Sequence, residues 1–326
     1  MKALPKVELH IHLEGTLEPE LIFELAERNG IELPYDIDGL RARYEFTDLQ
    51  SFLDLYYANL SVVLTEDDFA DLTRAYLERA RIAGVRHVEL FFDPQAHTSR
   101  GVPLAAAING VTTVLQTSEA DYGITSALIV NFLRDRPAAE ALSVLEELLE
   151  LQTDFIGIGL DSAEVGHPPA DFAQVYEVAH ANGLRLVSHA GEEGPPEYVW
   201  QALNVLHVSR IDHGIRSLED PELVDYLVKH RIPLTVCPLS NVRLKVIDRI
   251  EDHPLAKMLE FGLIVTVNSD DPAYFGGYID DNFVAVETKL GLSDAQLETL
   301  ARNAVAAAFI TDERRAELLD EIAEAV

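Results

Sequence analysis

Two histidines stand one residue apart near the start of the chain. They are His10 and His12, inside the apolar run VELHIHLEG at 7–15. Because successive side chains of a β-strand point to opposite faces, both imidazoles are expected on the same face. Two imidazoles about 6–7 Å apart on one strand can bind a single metal ion. Two histidines on the wet face of a sheet have the same spacing, so the pattern needs further ligands from elsewhere in the chain.

Four other segments have polar or ionisable residues at the ends of β-rich runs. They are SHAGEEG at 188–194, RIDHG at 210–214, CPLSN at 237–241 and VNSDDP at 267–272. Within them, His189 offers a third nitrogen ligand and Asp270 an oxygen ligand. Zinc suits this donor mixture best, with Fe²⁺ or Mn²⁺ as alternatives. The sequence therefore predicts one metal ion per subunit, with the ligands His10, His12, His189 and Asp270.

Three further residues in these segments have the chemistry that a metal hydrolase needs beside its ligands. Glu192 follows a glycine turn, where its carboxyl group could transfer protons at the reacting centre. His213 could act as a second base or electrostatic partner, and Asp271 could accept a hydrogen bond from a protonated substrate nitrogen. Each also has an ordinary interpretation, as the start of a helix, a helix cap or a polar turn. Their joint occurrence at consecutive strand ends favours an active site.

Eight short β-rich runs must position these residues. We predict strands at 7–13, 85–93, 124–132, 155–161, 185–190, 210–213, 233–238 and 264–269. Amphipathic helical patterns lie between them, for example at 67–83, 138–151 and 221–230. Alternating strands and helices predict a parallel sheet, and eight strands favour an α/β fold of the (β/α)8 TIM-barrel type. The active site of such a barrel forms at the C-terminal ends of the strands.

The rest of the chain adds helices to this barrel. We expect a single domain over residues 1–326, with a helical insertion at about 18–64 after the first strand. The insertion could act as a lid over the barrel mouth or be a packed elaboration without a gating role. Residues 293–326 are predicted to form two more helices.

Composition limits the classes of partner. The chain has 25 Lys and Arg residues against 56 Asp and Glu, a formal charge of −31. This excess of carboxylates would repel nucleic acid and anionic lipid, so we expect neither a nucleic-acid nor a membrane partner. The one cysteine, Cys237, lies in an apolar run and is expected to be a packed core residue. We expect a cytoplasmic protein with a small, uncharged or cationic substrate, and a homo-oligomer stays open.

Together with LPKVELHIHLEG at 4–15, the four segments resemble the adenosine/adenine deaminase family of the amidohydrolase superfamily over nearly the whole chain. The resemblance implies a zinc-dependent (β/α)8 barrel that hydrolyses the 6-amino group of a purine. It implies the same four metal ligands that the residues predict. It also implies Glu192 as the proton shuttle, His213 as the residue that orients the hydroxide, and Asp271 as the partner of purine N7.

Within the family, the segments LDSAEVGHPP at 160–169 and NSDDPAYFGGY at 268–278 look most like bacterial and fungal adenine deaminases. Adenosine deaminases usually have Asp where Glu14 stands, and that Asp faces the ribose. A longer carboxylate at Glu14 could occupy the ribose space and repel a 5′-phosphate. We therefore expect adenine as substrate, with hypoxanthine and ammonia as products, in purine salvage. The remaining candidates for contacts with the base are Ser162, Glu164 and Gly166, although these residues could also form only a turn.

Three alternatives stay open from the sequence. The substrate could be adenosine or an N6-substituted adenine. The reaction could be another amidohydrolase reaction, although the predicted strand ends lack the lysine that bridges two metals in phosphotriesterase-like members. The barrel could also bind a purine without catalysis, which the retention of every expected ligand and of Glu192 argues against.

Overall fold

Eight strands form the inner wall of the molecule in the computed structural model, which describes residues 4–325. Each strand pairs in parallel with the next one in chain order, and a parallel bridge between Ile11 and Asp270 brings the first segment beside the last. The strands are β1 Lys6–Glu8, β2 Val85–Phe92, β3 Thr125–Leu133, β4 Gly157–Asp161, β5 Arg185–Ala190, β6 Arg210–His213, β7 Pro233–Val236 and β8 Ile264–Val267. The predicted (β/α)8 barrel is confirmed. Residues 1–3 and 326 of the expected domain lie outside the described residues.

The first strand is shorter than the prediction of 7–13. Regular pairing ends at Glu8, and the chain then continues between the ends of β2 and β8. The His12 amide donates to the Asp270 carbonyl at 3.0 Å, and the Phe91 amide donates to the Ile11 carbonyl at 2.9 Å. The two histidines therefore lie just beyond the regular strand. The prediction was too long because the alternating apolar pattern persists to residue 13, although the segment divides its hydrogen bonds between two neighbours.

Helices surround the strands and cover the barrel mouth. Many helix bounds agree with the sequence patterns, since α11 coincides with the predicted 221–230 and α4 begins one residue before the predicted 67. Asp220 caps α11 by accepting from the Glu222 amide at 2.9 Å. The helices are α1 Pro19–Asn29, α2 Ile37–Arg41, α3 Leu49–Asn59, α4 Glu66–Ala83, α5 Pro94–Thr98, α6 Leu104–Leu115, α7 Ser118–Tyr122, α8 Ala138–Glu150, α9 Ala173–Ala181, α10 Pro196–Asn204, α11 Pro221–His230, α12 Pro238–Arg243, α13 Leu255–Glu260, α14 Pro272–Phe275, α15 Ile279–Thr288, α16 Asp294–Ala307 and α17 Asp312–Ala325.

The region predicted as a helical insertion forms α1 to α3. The third of these helices packs through its aromatic face against α14, which follows the last strand. The Phe52 ring lies 4.7 Å from the Phe275 ring and 5.4 Å from the Tyr274 ring, measured between centroids. Aromatic pairs of this kind contribute about 0.5–1.5 kcal/mol each beyond the area they bury. The insertion is thus held against the barrel mouth, while a gating movement stays a prediction.

The N-terminal side of the barrel interior is filled. A buried ion pair joins Arg210 of β6 to Glu89 of β2. The Arg210 guanidinium also lies 4.7 Å from the ring centroid of Phe309, which follows α16. A substrate cavity is therefore expected at the opposite, C-terminal side. Among residues 4–325, none of the helices is both long and apolar enough to cross a membrane.

Candidate active site

The four predicted metal ligands meet at the C-terminal end of the barrel. The Nε2 atoms of His12 and His189 lie 3.1 Å apart. Asp270 Oδ1 lies 3.3 Å from His10 Nε2 and 3.4 Å from His12 Nε2. All four side chains are buried. Residues that are up to 260 positions apart in the chain thus present their donor atoms to one point, as the sequence predicts.

These distances fit a zinc ion. Ligand atoms about 2.0–2.1 Å from a tetrahedral zinc lie about 3.3 Å from one another. His10 Nε2 is buried without a hydrogen-bond partner, while its Nδ1 lies 3.0 Å from Thr235 Oγ1. A metal-binding histidine is typically held in this way through its second nitrogen. Burial lowers the pKa of His12 to about 3, and burial together with the neighbouring His10 lowers the pKa of His189 well below its ordinary value. Both imidazoles are therefore neutral, the form that binds metal.

Two other groups of potential ligands overlap this one. The first replaces His12 and His189 by His213 and Cys237, and the second joins His12 to Asp93 and Asp161. Burial raises the pKa of the Cys237 thiol well above its ordinary value, so it stays protonated and is a poor ligand. Burial also raises the pKa values of Asp93 and Asp161 well above their usual range. The cluster of three histidines with Asp270 is the one of the three groups that brings three imidazoles and one carboxylate together, the donor set that zinc prefers.

Glu192 and His213 lie beside each other next to the cluster. His213 Nε2 lies 3.5 Å from Glu192 Oε2 and 3.8 Å from Asp270 Oδ2. Burial, and then the nearby Asp270 carboxylate, raise the pKa of Glu192 well above its usual range. Burial lowers the pKa of His213 to about 3. At neutral pH the carboxyl group can therefore donate a proton, while the neutral imidazole can accept a hydrogen bond.

Asp271 faces the same cavity, but its pKa is shifted in the opposite direction from that of its neighbour Asp270. Despite burial, the nearby His10 holds the pKa of Asp270 well below its usual range. Burial and the adjacent Asp270 carboxylate raise the pKa of Asp271 well above its usual range, and its Oδ1 is buried without a hydrogen-bond partner. A protonated Asp271 is a hydrogen-bond donor, whereas the sequence suggested an acceptor. Gly15 makes this arrangement possible, since a Cβ atom there would lie 2.0 Å from Asp271 Oδ1.

Three strand-end residues at the site have left-handed backbone conformations. The φ angles are 70° for Ser162, 64° for His213 and 67° for Asp270. For a residue with a Cβ atom, a left-handed backbone conformation costs about 1–2 kcal/mol of conformational free energy. Contacts with the surrounding structure must offset this cost. Four further residues outside the cavity lining have the same conformation, so it is not by itself a sign of function. At the site it sets the direction of these three side chains.

The cavity beside the cluster has a second wall that the sequence analysis missed. Asp93 follows β2 and Asp161 ends β4, and α3 adds Tyr56 and Tyr57. The predicted base contact Ser162 does line the cavity, and its hydroxyl lies 2.9 Å from the Tyr57 hydroxyl. The position of both aspartates at strand ends was the signal that could have identified them.

Three other predicted base contacts, Glu14, Glu164 and Gly166, do not line this cavity, so their contact with a base stays a prediction. The Glu14 carboxylate turns towards α5, where its Oε1 accepts from the Asp93 amide at 2.9 Å and lies 3.0 Å from His97 Nε2. Gly166 lies on an exposed turn with open space around its Cα. Glu164 is buried, and its carboxylate binds the backbone of the loop after β5.

Two residues that support the ligands were also missed as functional positions. Thr235 on β7 donates through Oγ1 to Asp212 Oδ1 at 2.8 Å. Asp212 Oδ2 lies 3.8 Å from His189 Nδ1, and Thr235 lies beside His10 Nδ1. Hydrogen-bonding groups behind metal ligands fix the orientation of the rings. Both residues point inwards from strands, where the sequence alone cannot separate a supporting residue from a buried polar one.

Comparisons with known proteins agree with this geometry. The family model described as adenosine deaminase matches residues 5–325. An adenine deaminase of Streptomyces coelicolor is 58% identical over 322 residues, covering 98% of this chain and 95% of that protein. The crystal structure of adenine deaminase from Arthrobacter aurescens has a TM-score of 0.98 and 60% identity, with 99% of each chain covered. The crystal structure of an amidohydrolase from Burkhoderia ambifaria with bound Zn has a TM-score of 0.90 and 29% identity, with 99% of this chain and 92% of that chain covered.

Proposed function

The chain belongs to the adenosine deaminase family, and from that premise we propose that it hydrolyses adenine to hypoxanthine and ammonia with one bound zinc ion. The observation that carries the proposal is the convergence of the three imidazoles and the Asp270 carboxylate on one point, beside Glu192, whose pKa is raised by burial. Adenine as substrate is supported by two relatives named adenine deaminase, at 58% and 60% identity over nearly their full lengths. Zinc is supported by the donor set and by the bound Zn of the 29% identical amidohydrolase.

The metal would be held by His10, His12, His189 and Asp270. When bound, it supplies a water molecule acidic enough to act as a nucleophile at neutral pH. Hydrogen-bonding residues behind the ligands fix the orientation of the imidazole rings. Thr235 lies beside His10 Nδ1, so the other ring nitrogen is directed at the site.

Glu192 has the role of general acid and proton shuttle. Its protonated carboxyl group donates to purine N1, which makes C6 electrophilic. Water then adds to C6 and gives one proton to Glu192, which passes it to the departing amine. As the C6–N6 bond breaks, the oxygen on C6 gives its remaining proton to Glu192, which restores the acid form and leaves the carbonyl of hypoxanthine. Adenine and water are thereby converted to hypoxanthine and ammonia with no other reactant. Proton transfer by a positioned group of this kind contributes about 10²–10⁴-fold in rate.

His213 and Asp271 orient the reacting groups. The neutral imidazole of His213 lies between Glu192 and Asp270, where it can accept a hydrogen bond from the attacking oxygen. The protonated Asp271 can donate to purine N7, which is an acceptor in neutral adenine. Asp271 is buried, and a buried polar group without a hydrogen-bond partner costs free energy. The bond to N7 would remove this cost.

The cavity wall supports a substrate without phosphate. Among the described residues, the cavity is lined by five carboxyl side chains and by no lysine or arginine. A nucleotide would find no cationic partner for its phosphate in this lining. Together with the relatives named adenine deaminase, this supports the free base as the substrate, with a role in cytoplasmic purine salvage.

The test is ammonia release from adenine, adenosine and N6-methyladenine, measured side by side on zinc-loaded protein. We expect kcat/KM to be highest for adenine. Equal or higher kcat/KM on adenosine would overturn the choice of the free base. No ammonia from any of the three purines, with one zinc bound per chain, would overturn the deaminase itself.

A further inference from the structure

The Glu164 carboxylate binds four consecutive backbone amides of the loop after β5. Its Oε1 accepts from the Gly191 amide at 2.7 Å. Its Oε2 accepts from the amides of Glu192 at 3.1 Å, Glu193 at 2.8 Å and Gly194 at 2.7 Å. Consecutive amides that converge in this way form a nest for an anion, and here the anion is a side chain of the same protein.

The nest and the Glu164 carboxylate that it binds lie in the protein interior. Glu164 is 2% exposed, and both of its oxygens are occupied by the loop. A Cβ atom at residue 194 would lie 2.5 Å from Glu164 Oε1, so Gly194 is needed for the close approach. Hydrogen bonds to an ionised acceptor are about twice as strong as neutral ones. Four such bonds hold this loop through one side chain.

The loop held by Glu164 carries the general acid of the proposed reaction. Glu192 is one of the four residues whose amides bind Glu164, and its own Oε2 reaches to within 3.5 Å of His213 Nε2. The other carboxyl oxygen, Glu192 Oε1, is buried without a hydrogen-bond partner. The backbone of Glu192 is thus fixed from behind, while one side of its carboxyl group is left for a substrate.

Two arginines also hold this segment, before and after Glu192, but neither binds the Glu192 amide. Arg134 Nη1 donates to the His189 carbonyl at 2.7 Å, and Arg216 donates to the Glu193 carbonyl. Within the described residues, Glu164 is the side chain that binds this amide and both of its neighbours.

We propose that Glu164 is a positioning residue, which sets the backbone of Glu192 so that its carboxyl group meets purine N1. The inference rests on the proposed function for the identity of the reaction. It replaces the expectation that Glu164 contacts the base. Catalysis depends steeply on such placement, since a misplacement of about 1 Å can lower the rate about 100-fold.

The test is a double-mutant cycle in kcat with E164Q, E192Q and the double variant. Glutamine keeps the volume of the side chain but places an amide NH₂ group against backbone N–H donors, so part of the nest is lost. We expect E164Q to lower kcat about 10- to 100-fold, the range for residues that orient a reacting group, with KM changed less than about threefold. In the E192Q background the same change should lower kcat less than about threefold, because the group it positions is gone.

Three controls separate positioning from general damage. E197Q removes the same charge from an exposed residue of α10 and should keep kcat within about twofold. Zinc content per chain should be the same in E164Q and wild type. Amide hydrogen exchange on metal-free protein should speed up at 191–194 in E164Q and stay unchanged in α10 of E197Q.

Two results would overturn the inference. One is an equal loss of kcat from E164Q in the wild-type and E192Q backgrounds, which indicates damage independent of Glu192. The other is wild-type kcat and unchanged exchange at 191–194 in E164Q. Failure of wild-type protein to deaminate adenine would overturn only the proposed substrate, and the cycle is then measured with the purine of the panel that is turned over. If none is turned over, unchanged exchange still contradicts the nest, and faster exchange supports its hold on the loop.

Discussion

The two halves of the barrel mouth are built from different kinds of residue. The half formed by the ends of β1, β5, β6 and β8 contains His10, His12, His189 and His213 around one point. The half formed by the ends of β2 and β4, together with α3, contains Asp93, Asp161, Ser162 and two tyrosines. Under the proposed function, the first half (the metal half) would hold the zinc ion and the groups that transfer protons. The second half (the opposite half) would contact the substrate.

Because the two halves have different roles, substitutions in them should have different effects on the rate and on substrate binding. Loss of a ligand or of the general acid removes a chemical step, so the whole rate is lost. Loss of one hydrogen bond from the opposite wall removes about 0.5–1.5 kcal/mol of binding, which leaves the chemistry in place. Variants in the metal half should therefore change metal content or kcat, and variants in the opposite half should change substrate preference.

The largest effect is expected from H10A. This change removes a ligand whose Nε2 lies 3.3 Å from Asp270 Oδ1, so both zinc and activity should fall to background. Metal analysis of the purified variant, together with ammonia release from adenine, measures this. H180A, an exposed histidine on α9, is the matched control and should keep both. Full zinc content in H10A would contradict the assignment of His10 as a metal ligand.

The next effect is expected from E192Q, which keeps the shape of the side chain and removes its proton. We expect one zinc per chain and a kcat lower by at least about 10²–10⁴-fold. Steady-state kinetics with adenine measure the loss, and the exposed E197Q is the control. Turnover near the wild-type value would remove Glu192 from the reaction.

The dependence of kcat/KM on pH tests the role of Glu192 as the general acid in a second way. Because burial and Asp270 raise the pKa of Glu192, its acid form persists above the ordinary pKa of 4.5. Activity needs that acid form, so kcat/KM should decrease as pH rises through the raised pKa, by up to about tenfold per pH unit. The alkaline decrease should disappear from the residual activity of E192Q. An alkaline decrease of unchanged midpoint in E192Q would assign it to another group.

A smaller effect is expected from D93N in the opposite half. Asp93 lines the cavity, and its Oδ1 is buried without a hydrogen-bond partner. We expect unchanged zinc content and a decrease of about tenfold in kcat/KM for adenine, the size of one lost hydrogen bond. Loss of zinc from D93N would show instead that Asp93 belongs to the metal half.

The smallest effect is expected from Y57F. It removes the hydroxyl that lies 2.9 Å from Ser162 Oγ and keeps the ring that packs on Tyr56. We expect KM for adenine to rise about 2- to 10-fold at unchanged kcat. Y226F, whose ring packs 5.0 Å from Trp200 on the outer helices, is the control and should leave KM unchanged. A large loss of kcat in Y57F would mean that α3 takes part in the chemistry.

The same contrast explains what the sequence could predict. Histidine is uncommon enough that His10 and His12, one residue apart, stand out, and the strand β6 was predicted with both of its bounds, Arg210–His213. Tyr57 belongs to a residue type found on many helices, so no pattern marks it, whereas Asp161 could have been identified by its place at the end of a predicted strand. Periodicity also cannot tell on which side of a turn a side chain lies, which is why Glu164 was expected at the base and is found behind the loop.

Backbone conformation was equally hidden from the sequence. The left-handed φ of 67° at Asp270 orients one of the ligands, yet aspartate occurs in many conformations and gives no warning of it. The early end of β1 has the same origin, because the alternating apolar residues continue where the pairing becomes irregular. The fold follows from patterns repeated over many residues, whereas the fine geometry of the site depends on single residues.

The most direct test of the account is anomalous diffraction at the zinc absorption edge from crystals of zinc-loaded protein. We expect one strong peak per chain, about 2.0–2.2 Å from His10 Nε2, His12 Nε2, His189 Nε2 and an Asp270 carboxyl oxygen. A peak between His12, Asp93 and Asp161, or one bound by the Cys237 thiol, would contradict it.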